Sequence, residues 1–282
     1  MISDDINIEP IAGACGAEVH GVDLSQELDD ETFNVVKQAF LDHQVVFFRD
    51  QNLTEDQHKA FGRRFGTLNI HPRYEPMEGH PEIFQIRKEP ESTKVVGGIW
   101  HQDLTHLPEP PLGSILYALK IPPVGGDTLF ANQYMAYESL SDGLKKMLAG
   151  LKGVHDNRIQ SPNVAKTKNV GMGSKLREDD EVEEPECEHP IVITHPETER
   201  KALFVNIGRT HRFAGMTEEE SRPLLDYLIN HSHRPEFTCR FRWRDGSVAF
   251  WDNRCLIHLA LNDYPGQKRY MNRVTINGQR PV

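Results

Sequence analysis

Residues 237–251, FTCRFRWRDGSVAFW, carry the clearest strand signal in the chain. From 237 to 243 every second residue is Phe, Cys or Trp and the residues between are Thr or Arg, so one face is apolar and the other polar. Gly246 marks a turn, and a mostly apolar run follows it to Trp251. The segment therefore predicts two successive strands.

Outward from this segment, the sequence predicts many short strands and few long helices. Gly or Pro separates strand-like runs at 44–48, 112–119, 127–130, 190–195, 202–206 and 270–276. Helical spacing of apolar residues predicts helices over 29–42 and 217–232, and Thr54 opens a capping-box pattern before a third. With no alternating βα rhythm, we expect a mainly β fold with flanking helices, a sandwich or a barrel, as one domain over 1–282.

The charge of the chain is concentrated in one segment. Of 42 acidic and 32 basic residues, Arg177 to Glu188 holds eight acids and one base, which leaves 34 acids and 31 bases elsewhere. A nearly neutral body offers no basic surface for nucleic acid or anionic lipid. We therefore expect neither nucleic acid nor membrane as a partner.

The N-terminal residues and the cysteines predict the compartment. The chain begins MISDD, which is acidic and lacks the apolar stretch of a secretion signal, and no run is long enough to span a membrane. The four cysteines are far apart and form no CxxC pair, which argues against a disulfide framework or a thiolate zinc site. We expect reduced thiols and a cytoplasmic protein.

Residues 159–188 fit no regular element, because they combine Pro, Gly, several Lys and the acidic segment with almost no apolar periodicity. A loop this long within a compact domain is a lid, a binding loop or a disordered insertion. A passive, solvated insertion is the plain alternative.

The first chemical motif is His101-Gln102-Asp103. In an extended backbone, residues two apart face the same way, so an imidazole and a carboxylate could bind one ion while Gln102 faces away. The pair is weak evidence alone, because the chain contains 14 histidines and most histidines serve structure.

A third ligand could come from His258, in the segment that begins with Trp251-Asp252-Asn253. Strand pairing could bring it beside the first two. Two His and one carboxylate are typical of non-haem Fe(II) oxygenases, but zinc hydrolases also use this set. The three residues alone do not choose between these classes.

Two arginines help to distinguish an Fe(II) oxygenase from a zinc hydrolase. Arg269 and Arg273 are four residues apart on a predicted strand and so project to one side. A guanidinium group binds a carboxylate or sulfonate through two parallel hydrogen bonds, so two such arginines suggest two anions. Alternatively, they lie on a solvated face of an edge strand.

In combination, the His-x-Asp motif, the segment from Trp251 to His258 and the arginine pair resemble the taurine dioxygenase family of Fe(II)/2-oxoglutarate-dependent dioxygenases. The chain is also similar to the aryloxyalkanoate dioxygenases. The resemblance covers nearly the whole chain, with further matches at GAEVHGVDL (16–24), HQVVF (43–47) and GGDT (125–128).

The resemblance implies a double-stranded β-helix (jelly-roll) core and an oxidoreductase that uses Fe(II), 2-oxoglutarate and O2 and releases succinate and CO2. It implies that His101, Asp103 and His258 are the catalytic metal ligands. It also implies a mobile lid at 159–188, because the family places residues 160 and 161 near the substrate. A homo-oligomer, either a dimer or a tetramer, is compatible with it.

The resemblance also implies how the cosubstrate binds. Arg269 and Thr128 would bind the distal carboxylate of 2-oxoglutarate, since the other end must chelate the metal. Arg273 would lie nearer to the substrate anion and to the metal-binding end of the cosubstrate. Thr128 would supply a hydroxyl donor.

The substrate side matches the family unevenly. His71, Tyr74 and Arg273 match an anion pocket, which favours a small anionic organic substrate of the sulfonate type. Gly97 and His106 depart from the taurine pattern: glycine removes a donor and leaves space, and His106 replaces an aromatic ring. Leu104, beside the His-x-Asp motif, is the remaining candidate.

Two alternatives stay open from the sequence. A carboxylate-bearing aryloxyalkanoate could be the substrate, or the chain could be a metal-binding jelly-roll protein without catalytic activity. The retained ligand and arginine positions favour the enzyme.

Overall fold

The computed structural model describes residues 6–71, 74–156 and 186–282. Its helices are α1 (Asp30–His43), α2 (Glu55–Arg63), α3 (Gln133–Glu138), α4 (Asp142–Leu148) and α5 (Glu218–Ser232). Its strands are β1 (Asn7–Pro10), β2 (Ala17–His20), β3 (Val45–Phe48), β4 (Ile83–Lys88), β5 (Gly113–Lys120), β6 (Thr128–Asn132), β7 (Lys152–His155), β8 (Cys187–Pro190), β9 (Val192–Thr194), β10 (Lys201–Leu203), β11 (Thr210–Phe213), β12 (Thr238–Phe241), β13 (Val248–Asp252), β14 (Leu256–Ala260) and β15 (Arg269–Ile276).

Two facing sheets form the centre of the molecule. A seven-stranded sheet has the order β1-β2-β3-β13-β5-β15-β4, and a three-stranded sheet has the order β12-β6-β14. Phe130 of β6 contacts Phe47 of β3 and Trp251 of β13, with ring centroids 5.7 and 5.9 Å apart. These aromatic contacts join the two sheets across the core. Two smaller sheets, β11-β7-β8 and β10-β9, lie beside them in the described part of the chain.

Strand β13 explains the flanking helices, because it is buried on both faces. Ala249 and Trp251 belong to the apolar cluster between the sheets, whereas Val248 and Phe250 belong to a second cluster on the outer face. There Phe250 stacks on Phe40 of α1 with centroids 4.0 Å apart. The helices thus cover a sheet face that would otherwise expose apolar side chains to water.

The predicted helix starts are confirmed. Asp29 caps α1 by accepting a hydrogen bond from the Thr32 N–H, and Thr54 forms a complete capping box at α2. A second capping box precedes α5 at Thr217. No helix in the described part of the chain is long and apolar enough to cross a membrane.

Two strand predictions need correction. The single strand expected over 190–195 is two strands. Pro190 has no N–H to continue the ladder, so β8 ends there and pairs with β7, whereas β9 begins after it and pairs with β10. Phe237 lies in a 3₁₀ turn (Pro235–Phe237), and β12 ends at Phe241. The alternation of buried and outer residues nevertheless continues to Trp243, as the sequence predicts.

The lid expected at 159–188 lies outside the described residues, apart from its last three positions. Of these, Cys187 and Glu188 belong to β8.

Candidate active site

His101, Asp103 and His258 converge between the two central sheets, with His258 on β14 and Asp103 beside Ser114 of β5. His258 lies in β14, and reciprocal backbone hydrogen bonds of 3.0 and 2.8 Å join it to His101. Asp103 Oδ1 lies 3.8 Å from His101 Nε2 and 4.0 Å from His258 Nε2. All three ligand atoms lie within 4.8 Å of one another, so one ion could contact them all.

The local backbone differs from the extended segment that the sequence predicts. Only His101 is in a β-bridge, whereas the chain turns from Asp103 onward and Leu104 adopts a left-handed conformation with φ 51°. Asn253 holds this turn, because its Oδ1 accepts from the Asp103 N–H at 3.3 Å and from Trp251 Nε1 at 3.2 Å. The expectation of an extended backbone is therefore wrong, although the two side chains converge.

Both imidazoles are set up as neutral ligands. His101 Nδ1 lies 2.7 Å from the Ile99 carbonyl oxygen, so it carries the proton and Nε2 keeps a lone pair toward the site. Burial lowers the pKa of His101, and burial together with the neighbouring His101 ring holds the pKa of His258 well below its usual value. Both rings are thus neutral at neutral pH, and each keeps one nitrogen lone pair that can bind a cation.

Asp103 is held as a carboxylate. Burial alone would raise its pKa, but the Arg273 guanidinium, helped by the Ser114 hydrogen bond, favours the charged form, and the pKa of Asp103 lies well below its usual range. Arg273 Nη1 donates to Oδ1 at 2.8 Å and Ser114 Oγ donates to Oδ2 at 2.9 Å. Two neutral imidazoles and one carboxylate are a donor set that fits Fe(II) with open positions.

Arg269 has the features of an anion site. It is 3% exposed, and its Nε and Nη2 have no hydrogen-bond partner among the described residues. A buried guanidinium without partners is costly, so an anion that accepts from both atoms would stabilise it. The same face of β15 carries Arg273, as the four-residue spacing predicts.

Thr128 lies on the facing sheet at the start of β6 and is buried. Its Oγ1 accepts a 2.9 Å hydrogen bond from Trp243 Nε1, which leaves the hydroxyl hydrogen free to donate to a ligand. Trp243 also lies under Arg269, with Cζ 5.8 Å from the ring centroid. The sequence shows Trp243 only as an inward strand residue, and its contact with both predicted cosubstrate residues depends on the fold.

The predicted anion pocket includes one aromatic residue that the sequence analysis missed. The rings of His71 and Tyr74 lie 4.8 Å apart, and both lie within 5 Å of the Phe84 ring. Arg273 Cζ lies 5.1 Å from that ring. Phe84 on β4 therefore connects the three predicted anion-binding residues, which the structure brings together.

Gly97 does not leave the space that the sequence suggests. A Cβ atom at this position would lie 3.0 Å from His101 Cε1, and the backbone has a left-handed φ of 78°. Glycine is thus required both by its conformation and by its contact with a candidate ligand. The expectation of open space at Gly97 is wrong because the imidazole occupies it.

His106 and Leu104 are both buried. His106 lies among other buried imidazoles, since it contributes with His189 and His211 to the lowered pKa of His155, for which burial is the largest cause. The histidine spacing in the sequence gives no sign of this cluster.

A second His, Asp and Cys group serves structure. His195 Nδ1 accepts from two backbone N–H groups, so its Nε2 donates to Asp252 at 3.0 Å. Arg254 binds both oxygens of Asp252 at 2.8 and 2.7 Å, and Cys255 lies beside them. The carboxylate is fully engaged by this buried ion pair.

These observations define a class of protein: a two-sheet fold with a His, Asp, His cation site beside a buried arginine without a partner. The sequence profile described as "Taurine catabolism dioxygenase TauD, TfdA family" matches residues 7–275. The chain belongs to this family.

Sequence similarity to known proteins extends over nearly the whole chain. An alkylsulfatase of Acinetobacter baylyi is 34% identical over 98% of this chain and 86% of its own length. An alpha-ketoglutarate-dependent sulfate ester dioxygenase of Pseudomonas putida is 33% identical (99% and 91%). An (S)-phenoxypropionate/alpha-ketoglutarate-dioxygenase of Sphingobium herbicidovorans is also 33% identical (98% and 96%).

Solved structures of dioxygenases also match nearly the whole chain. A taurine dioxygenase from Burkholderia xenovorans has a TM-score of 0.82 and 39% identity, covering 99% of this chain and 91% of that one. AAD-2, solved with Mn(II) and N-oxalylglycine, has a TM-score of 0.80 and 27% identity, with 98% of each chain covered. The jelly-roll fold and the enzyme class expected from the sequence are confirmed: the protein is an Fe(II)- and 2-oxoglutarate-dependent dioxygenase.

We predict that Asp252→Asn destabilises the metal-free protein by about 3 to 5 kcal/mol at neutral pH, because it leaves Arg254 without its buried partner. Burial would raise the pKa of Asp252, but Arg254 and His195 hold it low. Its stabilising effect is thus lost progressively as pH falls from the unfolded pKa of about 4 toward the lower folded pKa, and the difference between the two proteins should shrink over that range. Urea unfolding at several pH values measures this.

The matched control is Glu138→Gln, which removes an exposed ion pair with Arg200 and should cost less than about 1 kcal/mol. Equal losses in both variants would contradict the structural role assigned to Asp252.

Proposed function

We propose that the protein hydroxylates a small organic anion with a sulfur oxyanion head, a sulfate ester or sulfonate, and that His101, Asp103 and His258 bind the Fe(II). The observation that carries the proposal is the convergence of two neutral imidazoles and a carboxylate on one point. Arg269, a buried arginine on β15 of the seven-stranded sheet, supports it, because two of its donors have no partner among the described residues. A zinc hydrolase would have no use for that arginine as a cosubstrate site.

The residues of this chain have distinct tasks in the proposal. Arg269 and Thr128 orient 2-oxoglutarate by its distal carboxylate, while Ser114 and Asn253 fix the position of Asp103. When bound, Fe(II) and 2-oxoglutarate supply the oxidising chemistry that consumes O2 and yields succinate and CO2. The protein contributes ligation, orientation and burial, and it needs no nucleophile.

The substrate pocket is proposed from the group that Phe84 connects. His71, Tyr74 and Arg273 present polar atoms and a guanidinium fork suited to an oxyanion head. Arg273 Nε is buried without a partner in the described chain, so it can donate to that head while Nη1 binds Asp103. The relatives named for sulfate esters favour this head group.

An aryloxyalkanoate substrate is the second candidate. A carboxylate would satisfy the same arginine, and the relative named for phenoxypropionate favours it.

We also propose a cytoplasmic location. It is supported by the four cysteines, all of which are free thiols.

We predict that His101→Ala, Asp103→Ala and His258→Ala each abolish substrate-coupled succinate release, because each removes one of three protein ligands. Metal content after Mn(II) loading should fall in parallel. Zinc should bind at the same ligands without supporting turnover, since it has no redox chemistry.

His20→Ala, a partly exposed histidine on β2, is the control and should retain activity and metal. Full activity in any ligand variant removes that residue from the site, and zinc-supported turnover contradicts the oxygenase assignment.

We predict that Arg269→Lys weakens the apparent affinity for 2-oxoglutarate roughly tenfold to a hundredfold, because an ammonium cannot reproduce two parallel hydrogen bonds from a fork. Succinate release titrated against 2-oxoglutarate measures the change. Arg280→Lys, at an exposed position, should leave the titration unaltered. An unaltered titration in Arg269→Lys would assign the cosubstrate to another cation.

We predict that taurine is a poor substrate and that longer, less polar alkyl sulfates or sulfonates are better. Gly97 offers no side-chain acceptor to the ammonium group of taurine, and shape differences are worth roughly 1 to 3 kcal/mol per methylene-sized feature. A panel of taurine, alkyl sulfates, alkyl sulfonates and aryloxy-carboxylates, assayed for substrate-dependent succinate, measures the specificity constants. A taurine optimum contradicts the interpretation of Gly97, and an aryloxy-carboxylate optimum selects the second candidate.

A further inference from the structure

Strand β4 places a lysine beside the predicted cosubstrate arginine. In the antiparallel pairing of β4 with β15, Lys88 lies opposite Arg269 and Phe84 lies opposite Arg273. Directly opposed residues project to the same side of a sheet. The contact between Phe84 and Arg273 confirms that this side faces the inter-sheet core. Lys88 therefore projects to the same side as Arg269.

Lys88 is buried without a polar partner. It is 3% exposed, and its Nζ has no hydrogen-bond acceptor among the described residues. The nearest feature is the face of the Tyr264 ring, whose centroid lies 4.5 Å from Nζ. The Tyr264 hydroxyl is also buried without a partner, and the charge of Arg269 acts on it. Three adjacent side chains thus hold free donors at one corner of the core.

The protein itself does not neutralise these cations. In the described part of the chain, no salt bridge joins a carboxylate to Lys88 or Arg269. Asp127 binds Arg240 at 2.6 Å, and Glu89 accepts a 2.6 Å hydrogen bond from Tyr270. A contact with one tyrosine ring compensates only part of the cost of burying an ammonium. A bound anion would neutralise these buried charges and accept their free hydrogen bonds.

We propose that Lys88 and Tyr264 bind, together with Arg269, the distal carboxylate of 2-oxoglutarate. This inference rests on the proposed cosubstrate site. A carboxylate offers about four acceptor positions, of which a bidentate arginine uses two. The ammonium of Lys88 and the hydroxyl of Tyr264 share the other positions with the hydroxyl of Thr128. The protein therefore selects 2-oxo acids with two carboxylates more strongly than a single arginine would.

The test compares two ligands that differ only at the distal end. Protein loaded with Mn(II) is titrated by calorimetry with 2-oxoglutarate and with 2-oxovalerate, which has a methyl group in place of the distal carboxylate. Lys88→Met should weaken 2-oxoglutarate binding about tenfold, the loss expected for one charge-assisted hydrogen bond, and leave 2-oxovalerate binding unaltered. Tyr264→Phe should cause a smaller loss of about threefold.

Thermal unfolding without ligands separates this role from a structural one. Removal of an uncompensated buried charge should leave the melting temperature of Lys88→Met equal to or above that of the parent protein. Arg87→Met removes one charge from the adjacent position on the opposite face of β4 and should not alter the preference between the ligands.

Two results would overturn the inference. They are unaltered 2-oxoglutarate binding in Lys88→Met, or an equal loss for both ligands, which together with a lowered melting temperature would indicate a structural role. If the parent protein binds no 2-oxoglutarate, the proposed cosubstrate site itself fails, and this inference fails with it. A loss in Arg269→Lys without any loss in Lys88→Met would refute the role of Lys88 and keep the arginine site.

Discussion

Two backbone hydrogen bonds between His101 and His258 hold the site together. They fasten the segment that contains Asp103 to β14, although the chain connecting the two histidines contains most of the other strands. Without this bridge, the carboxylate of Asp103 and the imidazole of His258 would not be held side by side. The pairing of β14 with β6 places the bridge on the same sheet as Thr128, so the candidate cation site and this proposed cosubstrate residue share one sheet.

Strand β15 distributes positive charge between two tasks. Arg273 is neutralised within the protein by Asp103, whereas Arg269 has two free donors in a buried position. The two arginines have the same chemistry, yet Arg273 is tied to Asp103 through one nitrogen, whereas Arg269 has no carboxylate partner among the described residues and is therefore the stronger candidate for binding an external anion. The spacing of four residues keeps both on the core face and separates the two anions that they serve.

The sequence predicts those parts of the fold and site that depend on local pattern. The alternation at 237–243, the capping box at Thr54 and the shared side of Arg269 and Arg273 all follow from the period of a strand or the chemistry of a helix start. The sequence analysis does not predict strand β4. The roles of its core-facing residues, Phe84 and Lys88, depend on their register opposite Arg273 and Arg269 of β15. The turn after Asp103 is likewise set by Asn253, which is distant in sequence.

The contact between Gly97 and His101 limits how this active site can evolve. Any larger residue at position 97 would need a strained left-handed backbone and would push an imidazole that the site needs in place. A substitution at the glycine itself therefore changes the position of His101 as well as the shape of the site. Ala260, whose Cβ lies 3.9 Å from the same point, is a position where side-chain size can change without the same left-handed backbone. Selection for a new substrate would thus meet fewer constraints on β14 than at Gly97.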